Sequence, residues 1–337
     1  MASNSDNLLL ITGATGLVGS HVAELAHQKG IPTRALVRSA SNTALLDQWG
    51  VEKIEGDMTD ADSMRKAVAG AATIVHCAAK VGDWGPVEEY REVNVRGLEE
   101  LLQAVAENGA LKRFIHVSSL GVYEARDHQG TDESEPPNLS AIDGYTRTKA
   151  EAENVVQQHI REHNLPAVTL RPGFIYGPRD RTVFPKLLQK LKSGEFRFLG
   201  SSDKMMNNTY VGNLVAAISL AIQDDAAVGE AFNITDGELV SKRRFMTTIT
   251  RLAGYDEPTK TVPIGLARGL TTVLEGTWKL LGKKEAPILS QARIKMLGLN
   301  LDFSTEKAKR DLGYKPPFEF DDAMQTTIDW FRDEALL

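Results

Sequence analysis

Tyr145 and Lys149 lie four positions apart in a segment with helical character, and this spacing is the first that suggests chemistry. Residues at i and i+4 share one face of a helix. A lysine cation beside a tyrosine hydroxyl favours the phenolate and lowers the pKa of the tyrosine. The pair therefore suits general acid–base catalysis near neutral pH, although alone it also fits a solvated surface pair.

A serine pair strengthens this interpretation. Ser118 and Ser119 end a strand-like run that starts at Lys112. In doubly wound sheets, ligands gather at the carboxyl ends of the strands, where a serine can donate to a carbonyl oxygen. Ser119, Tyr145 and Lys149 together predict acid–base chemistry at a carbon–oxygen bond.

A glycine-rich turn follows the first strand-like run and opens the first helix-like run. Its spacing is GxxGxxG, which differs from the more familiar GxGxxG. Such glycines permit a tight turn, a close approach of the backbone to a pyrophosphate and close helix–sheet packing, and the helix N-terminus offers free N–H groups to phosphates. The turn predicts dinucleotide binding through Gly13, Thr15, Gly16, Leu17 and Val18, with Gly19 packing on the sheet.

The second strand predicts which dinucleotide is bound. NAD sites place Asp or Glu about 20 residues after the glycines, but this window holds Arg34 and Arg38 and no acid. A guanidinium fork matches a 2′-phosphate, and Arg38, at the strand end, is the better placed, whereas Arg34 fits a solvated edge. NADP(H) is favoured, with NAD(H) as the alternative because an arginine here can also be a plain surface residue.

Composition excludes several classes of protein. The 337 residues are 42% hydrophobic and 25% charged, which is ordinary for a soluble globular chain. A net charge of -6 without a basic tract argues against nucleic-acid binding. The single cysteine, Cys77, excludes an internal disulfide and any multi-cysteine metal site, and we expect no metal. No transmembrane segment and no secretory leader are expected, so the expected location is cytoplasmic.

Strand-like and helix-like runs alternate through the first half of the chain, which predicts an α/β fold with a doubly wound parallel sheet, Rossmann-like. The second half is less regular. We expect a dinucleotide-binding domain over 1–178 and mainly a smaller C-terminal substrate-binding lobe over 179–337, with a segment near 207–235 returning to the first domain.

With these motifs in place, the sequence resembles the extended short-chain dehydrogenase/reductase family over most of its length. The resemblance implies that Tyr145 is the acid–base, that Lys149 binds the nicotinamide ribose, that Ser119 polarises the reacting C–O bond and that Asn94 belongs to the catalytic set. The motifs that carry it are Gly13-x-x-Gly16-x-x-Gly19, Gly56-Asp57-Met58, His76-Cys-Ala-Ala79, Asn94-Val-Arg-Gly97, Ser118-Ser119-Leu-Gly-Val-Tyr123, Tyr145-x-x-x-Lys149 and Arg171-Pro-Gly-Phe-Ile-Tyr-Gly-Pro178.

The resemblance also implies further cofactor contacts. Asp57 matches the adenine contact, with Met58 beside it. The residues expected on the nicotinamide side are Ala78, Ala79 and Lys80, and those expected near the carboxamide are Pro172 and Ile175. The sequence departs from the family at the fourth strand, where His76-Cys-Ala-Ala replaces the usual Asn-Ala-Ala-Gly.

Two stretches indicate the branch of the family. Tyr-Val-Gly-Asn within 208–214 resembles the 3β-hydroxysteroid dehydrogenases, a branch that includes sterol-4-carboxylate 3-dehydrogenases, whereas 78–85 resembles bacterial 2-alkyl-3-oxoalkanoate reductases. Both kinds of relative handle bulky apolar substrates. The predicted substrate contacts are Val81, Trp84, Ser119 and Tyr176, although Trp84 fits an apolar wall and simple packing of its loop equally well.

Two predictions concern surfaces. Apolar residues recur at helical spacing over 263–282, which fits a packed lid or a helix that makes peripheral contact with a membrane surface. The long helices predicted over 86–108 and 144–164 resemble those that form the family's dimer interface, so a homodimer is expected by analogy.

The predicted function is an NAD(P)-dependent oxidoreductase that interconverts a secondary alcohol and a ketone on a bulky apolar substrate. A 3β-hydroxysteroid, a sterol or a 3-oxo lipid is expected. One alternative is an NDP-sugar 4-epimerase or dehydratase, for which the basic residues of 179–197 would meet a diphosphate. The other is a non-catalytic NAD(P)-binding sensor or scaffold.

Overall fold

The computed structural model describes residues 7–109, 111–141, 143–283 and 285–337; residues 1–6 of the predicted first domain lie outside this description. The strands are β1 Leu9–Thr12, β2 Thr33–Val37, β3 Glu52–Glu55, β4 Thr73–His76, β5 Arg113–Val117, β6 His128–Thr131, β7 Ala167–Pro172, β8 Phe174–Tyr176, β9 Phe198–Leu199, β10 Met205–Met206, β11 Asn208–Tyr210, β12 Ala231–Ile234, β13 Val240–Ser241, β14 Thr261–Val262 and β15 Leu301–Phe303.

The α-helices alternate with these strands in the first half and dominate the second. They are α1 Leu17–Gln28, α2 Ala44–Gln48, α3 Ala61–Val68, α4 Val87–Arg91, α5 Gly97–Asn108, α6 Gly144–His163, α7 Phe184–Lys192, α8 Val211–Gln223, α9 Lys242–Ala253, α10 Ile264–Leu280, α11 Gln291–Gly298, α12 Glu306–Asp311 and α13 Phe320–Asp333.

A seven-stranded sheet forms the centre of the molecule, in the order β12-β7-β5-β4-β1-β2-β3. All its pairings are parallel, and the strand order reverses between β1 and β4. In such sheets the crevice at the carboxyl ends beside this reversal is where ligands bind. The predicted doubly wound, Rossmann-like class is confirmed.

Side chains alternate across the sheet and divide its core into two layers. In β1, Leu9 and Ile11 belong to the cluster that includes residues of α1 and α8, whereas Leu10 belongs to the cluster of α3 and α5 on the other face. Period-two alternation on a strand buried on both sides explains why β1 is apolar throughout.

The second half of the chain completes the sheet and builds a lobe beside it. Strand β12 pairs with β7, with Phe232 opposite Leu170, which agrees in position with the segment expected to return to the first domain. The lobe has its own core, which holds the buried rings of Phe184, Phe245 and Phe331. The domain boundary at 178 stays a prediction.

Helix α10 turns its large apolar side chains outward. Leu266, Leu270 and Val273 are 64%, 46% and 65% exposed, whereas Ala267 and Thr271 are fully buried. The small residues thus face the protein, and the choice between a lid and a membrane-surface helix over 263–282 stays open. Within the described part of the chain, no helix has the length and apolar character needed to cross a membrane.

Candidate active site

The glycine turn presses against the start of the loop after β4. Gly13 has φ +71°, and a Cβ built on it would lie 2.8 Å from the Ala78 backbone nitrogen. A Cβ on Gly19 would lie 2.3 Å from the carbonyl oxygen of Gly13. Helix α1 begins at Leu17 without a side-chain cap, so its first N–H groups are available to an anion. These features fit the predicted binding of a dinucleotide pyrophosphate.

Thr12 joins the ends of β1 and β4. Its hydroxyl lies 2.8 Å from Nδ1 of His76 and accepts a hydrogen bond from the Ala78 N–H at 3.3 Å. Burial, with a smaller contribution from Lys149, lowers the pKa of His76 to about 3. The departure from the family at His76 therefore supplies a neutral hydrogen-bond partner that helps to fix the loop beside the glycine turn.

Asn94 fixes the same loop from the helix side. It lies in a π-helical turn, Glu92–Arg96, between α4 and α5. Its Oδ1 accepts from the Lys80 N–H at 2.7 Å, and its Nδ2 donates to the Lys80 carbonyl at 3.1 Å and to Oγ1 of Thr148 at 3.0 Å. These are the contacts of a positioning residue, and direct participation of Asn94 in catalysis stays a prediction.

The predicted proton donor and its serine come together at the carboxyl edge of β5. The side chains of Ser119 and Tyr145 interact electrostatically, Ser119 Oγ accepts from the Gly121 N–H at 3.0 Å, and a Cβ built on Gly121 would lie 3.1 Å from Ser119 Oγ and 2.7 Å from the Thr146 side chain. Asp143 places the start of α6 by accepting from the Thr146 N–H at 2.8 Å. The fold thus brings together two groups that are 26 positions apart in sequence.

The pKa of Tyr145 shifts opposite to the sequence prediction. Burial raises it to about 12, and the interaction with Ser119 opposes this shift only in part. Lys149 is not among the groups that shift it, and its Nζ donates to the Val117 carbonyl at 2.7 Å. The expected lowering is wrong for this arrangement because desolvation of the phenolate dominates.

Lys149 itself is 3% exposed. Burial lowers its pKa from 10.5 to about 8, against opposing contributions from Cys77 and Glu153. Its hydrogen bond to Val117 holds it beneath the strand end that leads to Ser119.

The two arginines of the second strand have different surroundings. Arg34 is tied into the structure by an ion pair with Glu52 at 2.9 Å and by donation to the carbonyls of Ala67 and Ala69 at 3.0 and 2.6 Å. Its side chain is 14% exposed, so it is not a solvated edge residue. The Arg38 side chain is exposed and has no ion pair within the described residues, so it remains the better candidate for a 2′-phosphate.

The other predicted cofactor contacts lie near strand ends. The Asp57 carboxylate accepts from the N–H and hydroxyl of Thr59 at 3.1 and 3.0 Å, and Met58 is buried. Pro172 ends β7, and Ile175 lies in β8, opposite Thr209 of β11. The positions agree with the prediction, and the contacts themselves remain proposals.

The predicted substrate residues differ in their placement. Val81 is 63% exposed, and Trp84 Nε1 donates to the Lys283 carbonyl at 3.0 Å. Tyr176 was a wrong choice: it is fully buried, and its hydroxyl donates to Asp236 Oδ2 at 3.1 Å. Strand β8 turns this ring into the core of the lobe.

Sequence reasoning missed the residues that hold these loops. The Tyr90 hydroxyl donates to the Trp84 carbonyl at 2.7 Å. In helix α11, Arg293 pairs with Asp83 at 2.6 Å, and Lys295 Nζ donates to the Tyr123 carbonyl at 3.2 Å. Gly82 is the one local indication of the Tyr90 contact, because a Cβ at this position would collide with the Tyr90 hydroxyl. No local signal reveals contacts that span about 200 positions.

A parallel sheet with a glycine turn at β1 and a Ser–Tyr–Lys cluster at the edge of β5 is the architecture of a nicotinamide-dependent oxidoreductase of the extended short-chain dehydrogenase/reductase type. The sequence profile of the NAD dependent epimerase/dehydratase family matches residues 9–235, and the chain belongs to this family. The predicted family and the oxidoreductase class are confirmed.

The relatives agree with the predicted branch. The chain is 31% identical to a 3 beta-hydroxysteroid dehydrogenase/Delta 5-->4-isomerase of Mycobacterium tuberculosis, over 96% of this chain and 90% of the relative. It is 28% identical to a 2-alkyl-3-oxoalkanoate reductase of Shewanella oneidensis, over 94% and 84%. The UDP-glucose 4-epimerase of Thermotoga maritima superposes with a TM-score of 0.76 at 22% identity, covering 97% and 99% of the two chains, which shows a shared fold.

Proposed function

We propose that this protein interconverts a ketone and a secondary alcohol on a bulky apolar substrate, with Tyr145 as the proton donor and acceptor. The approach of Ser119 to the start of α6, where Tyr145 lies, with buried Lys149 bonded to Val117 at the end of β5, carries the proposal. A nicotinamide dinucleotide in the glycine turn supplies or accepts the hydride. In the reducing direction, Ser119 donates a hydrogen bond to the carbonyl oxygen, and Tyr145 gives that oxygen its proton.

Tyr145 carries the proton that the reducing direction requires. Because burial raises the pKa of Tyr145 to about 12, the hydroxyl is protonated at neutral pH and acts as an acid without prior activation. Oxidation of an alcohol requires the phenolate instead. Lys149, with its pKa lowered to about 8, is the cation that would stabilise the Tyr145 phenolate. For this its Nζ would have to leave the Val117 carbonyl.

The apolar substrate class is inferred from the loop after β4 and from the relatives. Val81 is exposed and follows the residues predicted to lie beside the nicotinamide. The Trp84 ring reaches the second half of the chain, where its Nε1 donates to the Lys283 carbonyl. The full-length relatives are named for steroid and alkyl-oxoalkanoate substrates. We infer a 3β-hydroxysteroid, a sterol or a 3-oxo lipid as the substrate.

A steady-state absorbance assay tests this function. Purified protein is given NADP(H) or NAD(H) with hydroxysteroids, 3-oxo lipids and UDP-hexoses, and net nicotinamide absorbance is followed. A net change with an apolar ketone or alcohol supports the proposal. An altered sugar nucleotide without net change would assign it to the epimerases, and cofactor binding without turnover would favour a sensor.

Tyr145→Phe should abolish turnover while sparing cofactor binding, because it removes one hydroxyl proton and little volume. Tyr255→Phe is the matched control, since the Tyr255 hydroxyl is buried and has no hydrogen-bond partner among the described residues. Full activity of Tyr145→Phe would refute the assigned role.

We also propose that NADP(H) is the preferred cofactor. Arg38→Ala should weaken NADPH binding about tenfold, the scale of one charge-assisted hydrogen bond, and leave NADH binding unchanged. Arg161→Ala, which removes another exposed arginine, is the control. Equal losses for both cofactors, or none, would contradict a 2′-phosphate contact at Arg38.

A homodimer and a cytoplasmic location remain proposals. The homodimer rests on the resemblance of α5 and α6 to the family's dimer helices. Sedimentation equilibrium would give the mass directly, and a monomer at micromolar concentration would exclude a stable dimer.

A further inference from the structure

Glu153 lies one helical turn beyond Lys149 on α6 and is buried. Its Oε1 accepts from Ser118 Oγ at 2.5 Å and from Arg171 Nε at 2.9 Å, and its Oε2 accepts from Arg171 Nη2 at 2.6 Å. One carboxylate therefore binds Ser118, which precedes Ser119, and Arg171, which precedes Pro172. It connects α6 to the ends of both β5 and β7.

The Arg171 fork extends this network into the second half of the chain. Its Nη1 donates to the Tyr123 hydroxyl at 2.7 Å, and that hydroxyl donates to Oδ1 of Asn233 at 2.9 Å. Asn233 lies in β12. A buried bidentate pair with its remaining donors satisfied holds one geometry, because any displacement leaves charges unpaired.

Four titratable groups face Lys149. Glu153 shares its helix, Cys77 and His76 come from β4 and the segment after it, and His116 comes from β5. Burial raises the pKa of Cys77 to about 12 and lowers that of His76 to about 3, and burial also lowers the pKa of His116. Among these four groups Glu153 is the one held in an ion pair, with Arg171 at 2.6 Å, so its carboxylate is the anion one helical turn from Lys149.

We propose that Glu153 is a positioning residue that supplies the counter-charge for Lys149 and, through Arg171, fixes α6 against the ends of β5 and β7. The proposal rests on the proposed function only for the part that Lys149 plays at the cofactor. The charge and the hydrogen bonds of Glu153 belong to the protein alone, so they can be tested without a substrate.

The test follows the protonation of Lys149 by NMR of the full chain carrying [13C]lysine. Lys149→Arg identifies the resonance, which is needed because Lys242, with a pKa lowered to about 7, also titrates in this range. In Glu153→Gln the midpoint of Lys149 should fall by about one pH unit or more, the scale of losing one nearby opposite charge. Glu153→Asp, which keeps the charge, should restore most of the shift.

Glu151→Gln is the matched control. Glu151 lies on the same helix and accepts bidentately from Arg91 at 2.8 and 2.9 Å, but it is not among the groups that shift Lys149. Its loss should leave the midpoint unchanged. Should Glu153→Gln not fold, the double variant Glu153→Gln/Arg171→Met, which leaves no unpaired buried charge, is compared with Arg171→Met; the Lys149 midpoint should be lower in the double variant, because the two differ only in the charge of residue 153.

An unchanged Lys149 midpoint in the folded Glu153 variant, or an equal shift in Glu151→Gln, would overturn the proposal. This result is distinct from failure of the proposed function. If the wild-type protein turns over no ketone or alcohol, the oxidoreductase substrate assignment fails, while the titration still decides the part of Glu153.

Discussion

Gly13→Ala tests whether the close approach of the glycine turn to the loop after β4 builds the dinucleotide site. Two costs add at this position. A φ of +71° costs an L-residue about 1–2 kcal/mol. The new Cβ would also lie 2.8 Å from the Ala78 nitrogen and 3.0 Å from its Cα. Both are backbone atoms that no rotamer change can move away, and such overpacking costs about 1–3 kcal/mol more.

Gly70→Ala isolates the first cost. Gly70 has φ +72°, and no atom of the described residues lies within 4 Å of a Cβ built on it. Urea unfolding should therefore show a loss of about 1–2 kcal/mol for Gly70→Ala and a total of roughly 2–5 kcal/mol for Gly13→Ala. The difference between the two variants measures the contact with Ala78 directly.

Cofactor binding gives the functional half of the test. Displacement of the turn that costs one hydrogen bond to a phosphate removes about 1 kcal/mol, or roughly fivefold in affinity. Fluorescence titration with NADPH and NADH should show this loss in Gly13→Ala and none in Gly70→Ala. If both variants had equal stability and wild-type affinity, the turn would not depend on its approach to β4, and the reasoning would fail.

Two further predictions concern regions outside the site. Lys242 is buried, its Nζ donates to the Met205 carbonyl at 2.9 Å, and burial lowers its pKa from 10.5 to about 7. Between these two pH values the unfolded chain binds more protons than the folded protein, so the free energy of unfolding should rise with pH. Lys242→Met should reduce that slope by up to about 1.4 kcal/mol per pH unit, measured by urea unfolding from pH 7.5 to 9. An unchanged slope would contradict this. If α10 contacts membranes through its exposed apolar face, Leu266→Glu/Val273→Glu should reduce sedimentation with anionic phosphatidylglycerol vesicles at least tenfold, whereas Leu239→Glu, at a residue 61% exposed elsewhere, should not; no sedimentation of the wild-type chain would exclude such contact.

The parts of this protein that depend on local spacing were predictable. The glycine turn, the alternation that gives the parallel sheet and the shared helical face of Tyr145 and Lys149 all follow from periods of two and 3.6 residues and from the conformational needs of glycine. Ser119 could be predicted to lie near them because the strands of a parallel sheet have their carboxyl ends at one edge. Each of these features depends on residues close together in sequence or on the direction of the chain through the sheet.

What the tertiary structure decided is which face of each element is buried, and against what. Tyr176 looked available in sequence, but the pairing of β8 with β11 buries it beside Asp236. Arg34 looked solvated, yet Ala67 and Ala69 take its guanidinium. Helix α10 has an apolar stripe in sequence, but the fold decides that Leu266, Leu270 and Val273 are exposed and that Ala267 and Thr271 face the protein.

The electrostatics of the site were also decided by the fold. The spacing of Tyr145 and Lys149 predicts mutual stabilisation, but desolvation depends on every atom packed around a group, and here it raises one pKa and lowers the other. The counter-charge at Glu153 acquires its partners only when β5 and β7 lie side by side. Spacing along the chain determines which groups share an element, whereas burial and charge balance arise from contacts between segments that are distant in sequence.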